Sequence, residues 1–213
     1  MNFIKKSNLI SLGAVLGLTL AIVSTSNRVI LTRSFFDESG HALSAIPGQD
    51  MLLYAGMQKW IYVLTGLYLL FKIGLVTLIL YTALYIADHL VAFSLILHVV
   101  TLSEVVFLVS ASLKIWLFYI YYPHGSLLDW HRFYILSALS IFETAPADWS
   151  YPLQTINAFE VSYWLLLAYG IAKITGLHYW RAFKIIAISY LPALFIWMVV
   201  VSFCAIMYFP NHG

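Results

Sequence analysis

Two residues of opposite charge, Lys72 and Glu104, stand inside long apolar runs of the sequence. An ionisable group placed in hydrocarbon costs about 2.5 to 3.5 kcal/mol on insertion scales, so each needs a physical reason. Only Asp88, His89 and Leu90 separate the two runs, which indicates a tight antiparallel hairpin of helices. Counted from that turn, the two residues fall within about 3 Å of each other in depth. We therefore expect them to pair.

Lys114 and Glu160 form a second candidate pair, each near the outer end of its apolar run. Pairs of this kind can act as structural contacts that set the register between helices. They can instead form a proton or ion relay through a helix bundle. Lys72 and Lys114 could also extend toward the membrane surface and need no partner. The sequence favours the structural role over the relay.

Several ionisable side chains gather in the loop after the third apolar run: His124, Asp129, His131 and Glu143. They could line a polar site at the outer membrane face and serve an enzyme that acts on lipid or envelope precursors. A solvated loop that faces the lipid headgroups explains the same residues, and we favour that interpretation.

The motifs of common enzymes and metal sites do not occur in the chain. There is no HExxH, no histidine pair at i, i+4 spacing, no GxSxG and no Walker-type glycine loop. The single cysteine, Cys204, excludes a disulfide within the chain. A formal net charge of +2 is too weak to indicate nucleic-acid binding. We expect a non-enzymatic protein without metal or cofactor.

The composition is that of a protein whose solvent is the lipid bilayer. Of its 213 residues, 62% are hydrophobic and 9% are charged, and the mean hydropathy is +0.90. A soluble domain carries charge on about a quarter of its residues. Aromatic residues make up 17% of the chain, which suits rings placed at membrane interfaces.

The apolar runs predict an all-α membrane protein, a bundle of about five transmembrane helices. A span needs about 20 apolar residues, and the runs are Asn8 to Ser26, Trp60 to Ala87, Val91 to Ile120, Ile156 to Ile174 and Ala182 to Phe209. Between the third and fourth, Phe133 to Phe142 is too short to span and predicts a short helix that lies in the interface or re-enters the membrane shallowly. Met51 to Met57 is a further interfacial candidate. We divide the chain into residues 1–58, an N-terminal transmembrane helix with an outer loop, and residues 59–213, a four-helix membrane domain.

The first run also resembles a cleaved signal peptide, because Lys5 and Lys6 precede it and small residues follow it. We expect a retained anchor. Five helices place clustered basic residues on one side and most acidic residues on the other, which predicts a cytoplasmic N-terminus and an outside C-terminus.

Two stretches of the C-terminal part form a recognisable pattern. Asn157-Ala-Phe-Glu160 opens one helix, and Gly170-Ile-Ala-Lys-Ile-Thr-Gly176 closes it before a basic turn into the last helix. This pattern resembles bacterial Yip1-like membrane proteins, and more loosely so does the chain from residue 60 onward. The resemblance implies five helices with the N-terminus in the cytoplasm. Eukaryotic members bind small prenylated GTPases, an activity that we do not expect here because no cytoplasmic motif supports it.

These observations favour a non-enzymatic scaffold or accessory subunit that packs in the bilayer with another membrane protein or with itself. The alternative is a small transporter or permease component that uses the Lys and Glu residues inside the membrane. The expected location is the bacterial cytoplasmic (inner) membrane.

Overall fold

The protein is an all-α bundle of the membrane type. The computed structural model describes residues 2–32, 35, 49–142 and 147–208. The helices are α1 (Asn2–Val29), α2 (Gln49–Ile86), α3 (Phe93–Ser103), α4 (Val105–Tyr121), α5 (Leu127–Arg132), a 3₁₀ turn (Ala138–Ser140), α6 (Ala147–Thr155), α7 (Ala158–Thr175) and α8 (Tyr179–Tyr208). Within the described ranges there are no strands, only one isolated bridge between Ser137 and Asn157.

Four stretches are long and apolar enough to cross a membrane: Ser7–Val29, Ala55–Ile86, Phe93–Tyr121 and Tyr179–Cys204. They correspond to four of the five predicted spans. The remaining predicted span, the fourth along the chain, is α7, which has 18 residues and carries both Glu160 and Lys173. That α7 crosses the membrane stays a prediction.

The core lies where α2, α3, α7 and α8 meet. On α2, Ile73, Leu80 and Leu84 are almost completely buried, and their spacing places them on one face of the helix. Leu167 of α7 and Ile186 of α8 belong to the same buried cluster. α1 packs against α2, α3 and α4, and the Asn8 side-chain amide donates a 2.6 Å hydrogen bond to the Ser94 carbonyl oxygen.

Most of the apolar surface of the bundle points outward. Only between 6% and 33% of the residues in the four candidate spans are buried inside the protein. Large apolar side chains such as Leu9, Trp60, Trp180 and Ile188 are more than half exposed. An outer surface of this kind would be unstable in water but is satisfied by lipid chains.

The third predicted span is interrupted at Glu104, where one helix was expected. α3 ends at Ser103, Glu104 forms a turn, and α4 begins at Val105. The Phe107 amide still donates to the Glu104 carbonyl oxygen at 3.0 Å, three residues back. The Leu108 amide also donates to this oxygen at 3.4 Å, and the Glu104 backbone is helical. The helical hydrogen bonding therefore continues through the turn, which holds a carboxylate.

The loop between the third and fourth predicted spans differs from the expectation. The interfacial helix predicted at Phe133 to Phe142 is wrong, because the short helix is α5, which ends at Arg132, and only a 3₁₀ turn follows. The Ala138 amide donates to the Ile156 carbonyl oxygen at 2.9 Å, and the Ala158 amide donates to Leu136 at 3.0 Å. These bonds hold the segment in extended and turn conformations. A helix over residues 133–142 could not make them.

One helix is longer than predicted from the sequence, and one short helix was not predicted. α2 begins at Gln49, so the interfacial piece expected at Met51 to Met57 is part of one long helix. Before α7, the chain forms a separate short helix, α6, with Pro152 inside it. α6 packs against α8 and the 3₁₀ turn, and therefore closes the end of the bundle opposite the α2–α3 turn.

Two glycines determine how α7 ends and how it packs against α3. Gly176 follows the last residue of α7 with φ 72°, a left-handed conformation that ends helices and favours glycine. Gly170 faces Val99 of α3 so closely that a Cβ atom there would overlap the valine side chain. The absence of a side chain at residue 170 allows α7 to lie directly against α3.

Candidate functional site

A cavity with a volume of about 520 Å³ opens between the helices beside the core. This volume lies in the range of small-molecule sites. α1 and α2 supply a mainly apolar wall, and α4, α6, α7 and α8 supply most of the polar and aromatic groups. The charged residues that line it are Lys72, Glu104 and Glu160.

Lys72 and Glu104 form an ion pair in the cavity wall. The Lys72 Nζ atom donates to Glu104 Oε2 at 2.9 Å, and the two side chains are 21% and 3% exposed. The Lys72 ammonium also lies 3.6 Å from the centroid of the Phe107 ring and 5.2 Å from that of Tyr163. The depth count along the hairpin predicted this pair. The surrounding rings stabilise the cation further.

The second oxygen of Glu104 is not paired in the same way. Glu104 Oε1 is buried, and it accepts no well-formed hydrogen bond from the described residues. The Tyr163 hydroxyl interacts with this carboxylate but is also buried without a well-formed hydrogen bond. A buried carboxylate oxygen without a donor is costly in hydrocarbon, and the Tyr163 hydroxyl is the donor beside this carboxylate.

Glu160 lies in the first turn of α7, which Asn157 caps. The Asn157 Oδ1 atom accepts from the Glu160 backbone amide at 2.8 Å. The Glu160 Oε1 atom accepts from Trp164 Nε1 at 2.9 Å and from the Tyr190 hydroxyl at 2.8 Å. The partial positive charge at a helix N-terminus favours a negative group at this position.

Aromatic residues from the end of the bundle that α5 and α6 close complete the cavity. The Trp197 Nε1 atom donates to the Tyr151 hydroxyl oxygen at 3.0 Å, and Tyr134 and Tyr68 line the same space. Burial raises the pKa of the Tyr151 phenol above its ordinary value, and burial likewise raises the pKa of Tyr134. Both phenols therefore stay neutral at physiological pH and remain hydrogen-bond donors.

The candidate pair of Lys114 and Glu160 does not form. The Lys114 Nζ atom lies over the rings of Trp130 and Tyr134, at 4.4 and 4.2 Å from their centroids. Glu160 is engaged instead by Trp164 and Tyr190. The prediction was wrong because the chain after α4 folds back beneath Lys114 and provides aromatic partners that helix depth alone does not reveal.

The outer-face candidates are not assembled into one site in the described part of the chain. Asp129 accepts hydrogen bonds from the Ser126 amide and hydroxyl at 2.8 and 2.7 Å and caps α5. These two bonds lower the pKa of Asp129. Partial burial, and then the charge of Lys114, lower the pKa of His131. His124 lies in the exposed turn before α5, and Glu143 lies outside the described residues.

The aromatic part of the cavity could not be recognised from the sequence. Tyr134, Tyr151, Tyr190 and Trp197 are ordinary aromatic residues of a membrane protein when taken one at a time. Asn157 before Glu160 was the available signal, because an Asn three residues before a Glu marks a helix start and fixes where that carboxylate points. No group of three or more His, Cys, Asp or Glu residues in the described ranges is placed to hold a metal ion.

Comparisons with known protein families, with characterised proteins and with solved structures found no match.

Proposed function

We propose that the protein is a small-solute carrier or permease component whose working site is the cavity around Lys72, Glu104 and Glu160. The observation that carries the proposal is the ion pair placed in the wall of a cavity, at the Glu104 turn between α3 and α4. Charged residues inside a membrane often mark ion or proton pathways. This favours the transporter alternative over the scaffold.

The Glu104 carboxylate is the group through which a proton would act. Lys72 and Tyr68 face it from α2, Tyr163 and Glu160 from α7, and Tyr190 from α8. A proton on Glu104 Oε1 would donate to the Tyr163 hydroxyl oxygen and weaken the bond from Lys72. Loss of that proton would restore the pair. Two such states give the protein a local switch that a solute or a proton can bias.

The proposal is tested by proton flux into liposomes that contain the purified protein and an entrapped pH-sensitive dye. With the membrane potential clamped by potassium and valinomycin, we expect proton uptake above that of empty liposomes. Glu104→Gln should abolish the uptake, because an amide cannot exchange the proton. Uptake equal to that of empty liposomes would overturn the proposal.

Two further variants separate transport from folding. The double variant Lys72→Met/Glu104→Gln removes both charges together and avoids an unpaired cation, so it should remain folded and still lack flux. Asp129→Asn changes a carboxyl group outside the cavity and should retain wild-type flux. A protein that shows no flux in any form would support the scaffold or accessory-subunit alternative, with a membrane-protein partner or a second copy.

We further propose the location and orientation given by the basic residues, a bacterial cytoplasmic membrane with the N-terminus inside. Lys173 and Arg181 flank the α7–α8 turn. The Asn8 bond to Ser94 places the start of α1 beside the start of α3. Membership of the Yip1-like group rests on the resemblance of the C-terminal pattern alone.

A further inference from the structure

The free side of Glu160 points to the class of solute. Both donors to Glu160, Trp164 and Tyr190, bond the same oxygen, Oε1. In the described part of the chain no hydrogen bond or ion pair is made to Oε2. The residue is only 6% exposed, yet it lines the cavity. A buried carboxylate with one oxygen available is suited to receive a cation or a hydrogen-bond donor from a bound molecule.

The charge of the cavity lining also favours a cation. Two carboxylates, Glu104 and Glu160, line the cavity with one lysine. Lys72 is already bound to Glu104 at 2.9 Å and covered by the Phe107 ring. Its charge is therefore largely compensated, and the remaining carboxylate charge belongs to Glu160. Among the described residues that line the cavity, an anionic solute would meet that charge without a free cationic partner.

The remaining lining fits the other parts of such a molecule. Tyr68, Tyr151 and Trp197 line the cavity beside Glu160, and Tyr68 and Tyr151 both interact electrostatically with its carboxylate. Aromatic rings grouped with a carboxylate are a recurrent way to bind organic cations. Val15 and Ile22 of α1 supply an apolar wall that can accept a hydrocarbon portion.

We propose that the cavity binds an amphipathic organic cation, with its charged group at Glu160 among the aromatic rings and its apolar part against α1. The inference rests on the proposed carrier function, because it names the solute class of the same cavity. It assigns separate roles to the two carboxylates: Glu160 binds the solute, and Glu104 with Lys72 forms the switch.

The probe is tetraphenylphosphonium, with tetraphenylborate as an anion of nearly the same size and shape. Binding of each radiolabelled ion is measured by equilibrium dialysis against the full chain in lipid nanodiscs, with empty nanodiscs subtracted. We expect saturable binding of the cation, at least about tenfold tighter than that of the anion. Saturable binding without preference for the cation would overturn the inference, and so would the absence of saturable binding.

Two variants locate the binding. Glu160→Gln keeps an oxygen that accepts from Trp164 and Tyr190 but removes the charge, and should weaken cation binding by about tenfold. Ala111→Leu fills part of the cavity without a change of charge, and should also weaken binding. Asp129→Asn removes a carboxylate away from the cavity and should bind as the wild type does. Unchanged affinity in both cavity variants, with monodisperse protein, would overturn the inference.

The binding experiment and the flux test can have opposite outcomes, so each proposal can be rejected without the other. Binding is measured at equilibrium and does not require transport, so cation binding without proton flux would retain the site and remove the carrier proposal. Proton flux that persists without selective cation binding would retain the carrier and remove this solute class.

Discussion

Removal of one member of the Lys72–Glu104 pair leaves the other charge in a largely dry environment. We expect Lys72→Met or Glu104→Gln alone to lower the free energy of unfolding by about 3 kcal/mol, the lower end for a buried pair, because the Lys72 side chain is 21% exposed. The double variant should recover most of that loss. A double-mutant cycle in mixed micelles measures the coupling, and additive losses would show that the pair does not stabilise the bundle.

The Lys72–Glu104 pair, which forms, and the Lys114–Glu160 pair, which does not, show how far a sequence determines such contacts. Lys72 and Glu104 are joined by a tight turn, so their depths can be counted along two continuous helices. Lys114 and Glu160 are separated by α5, the 3₁₀ turn and α6. The partners of Lys114 come from that irregular region, whose path depends on contacts such as the bridge between Ser137 and Asn157. Hydropathy and periodicity contain no information about these contacts.

The contact of α7 with α3 depends on the absence of a side chain at Gly170. Gly170→Ala would place its Cβ within 3.2 Å of both Cβ and Cγ2 of Val99, whose branched side chain has little freedom to move. We expect a loss of about 1 to 3 kcal/mol in stability and a lower midpoint of thermal unfolding. Gly74→Ala is the matched control, because no atom lies within 4 Å of its added Cβ. Equal behaviour of the two variants would contradict close packing at Gly170.

The start of α5 should be sensitive to acid through Asp129. The hydrogen bonds from Ser126 lower the pKa of Asp129 in the folded state, so the unfolded state binds its proton first as the pH falls. The stabilisation is therefore complete above the unfolded pKa of about 3.9. It declines below that value and is lost once the pH passes the lower pKa of the folded state.

Hydrogen exchange of the peptide that contains α5, corrected for the intrinsic rate at each pH, measures this effect. We expect protection of residues 127–132 to be constant at neutral and mildly acidic pH and to fall below about pH 3.9. Asp129→Asn should show weaker protection that no longer changes over this range. Protection in the wild type that increases as the pH falls would contradict the assigned direction.

The whole bundle has two chemically different ends, and the sequence predicts which of them faces the cytoplasm. The α2–α3 turn, the start of α1 and the basic α7–α8 turn share one end, while α5, α6 and their loops close the other. Lys and Arg near helix ends are retained on the cytoplasmic side during insertion. The unequal distribution of Lys and Arg between the two ends therefore predicts the orientation of the whole molecule.

Single cysteines at the two ends test this orientation in intact bacterial cells expressing the protein. In a Cys204→Ser background, Leu90→Cys marks the α2–α3 turn, where Leu90 is 87% exposed, and His124→Cys marks the exposed turn before α5. A membrane-impermeant maleimide should label residue 124 in intact cells, and residue 90 only after the cells are permeabilised. Labelling of residue 90 alone in intact cells would show that the protein has the opposite orientation. The end of the cavity that Tyr151 and Gln154 of α6 line would then face the cytoplasm, and a solute from outside would have to enter past the α2–α3 turn.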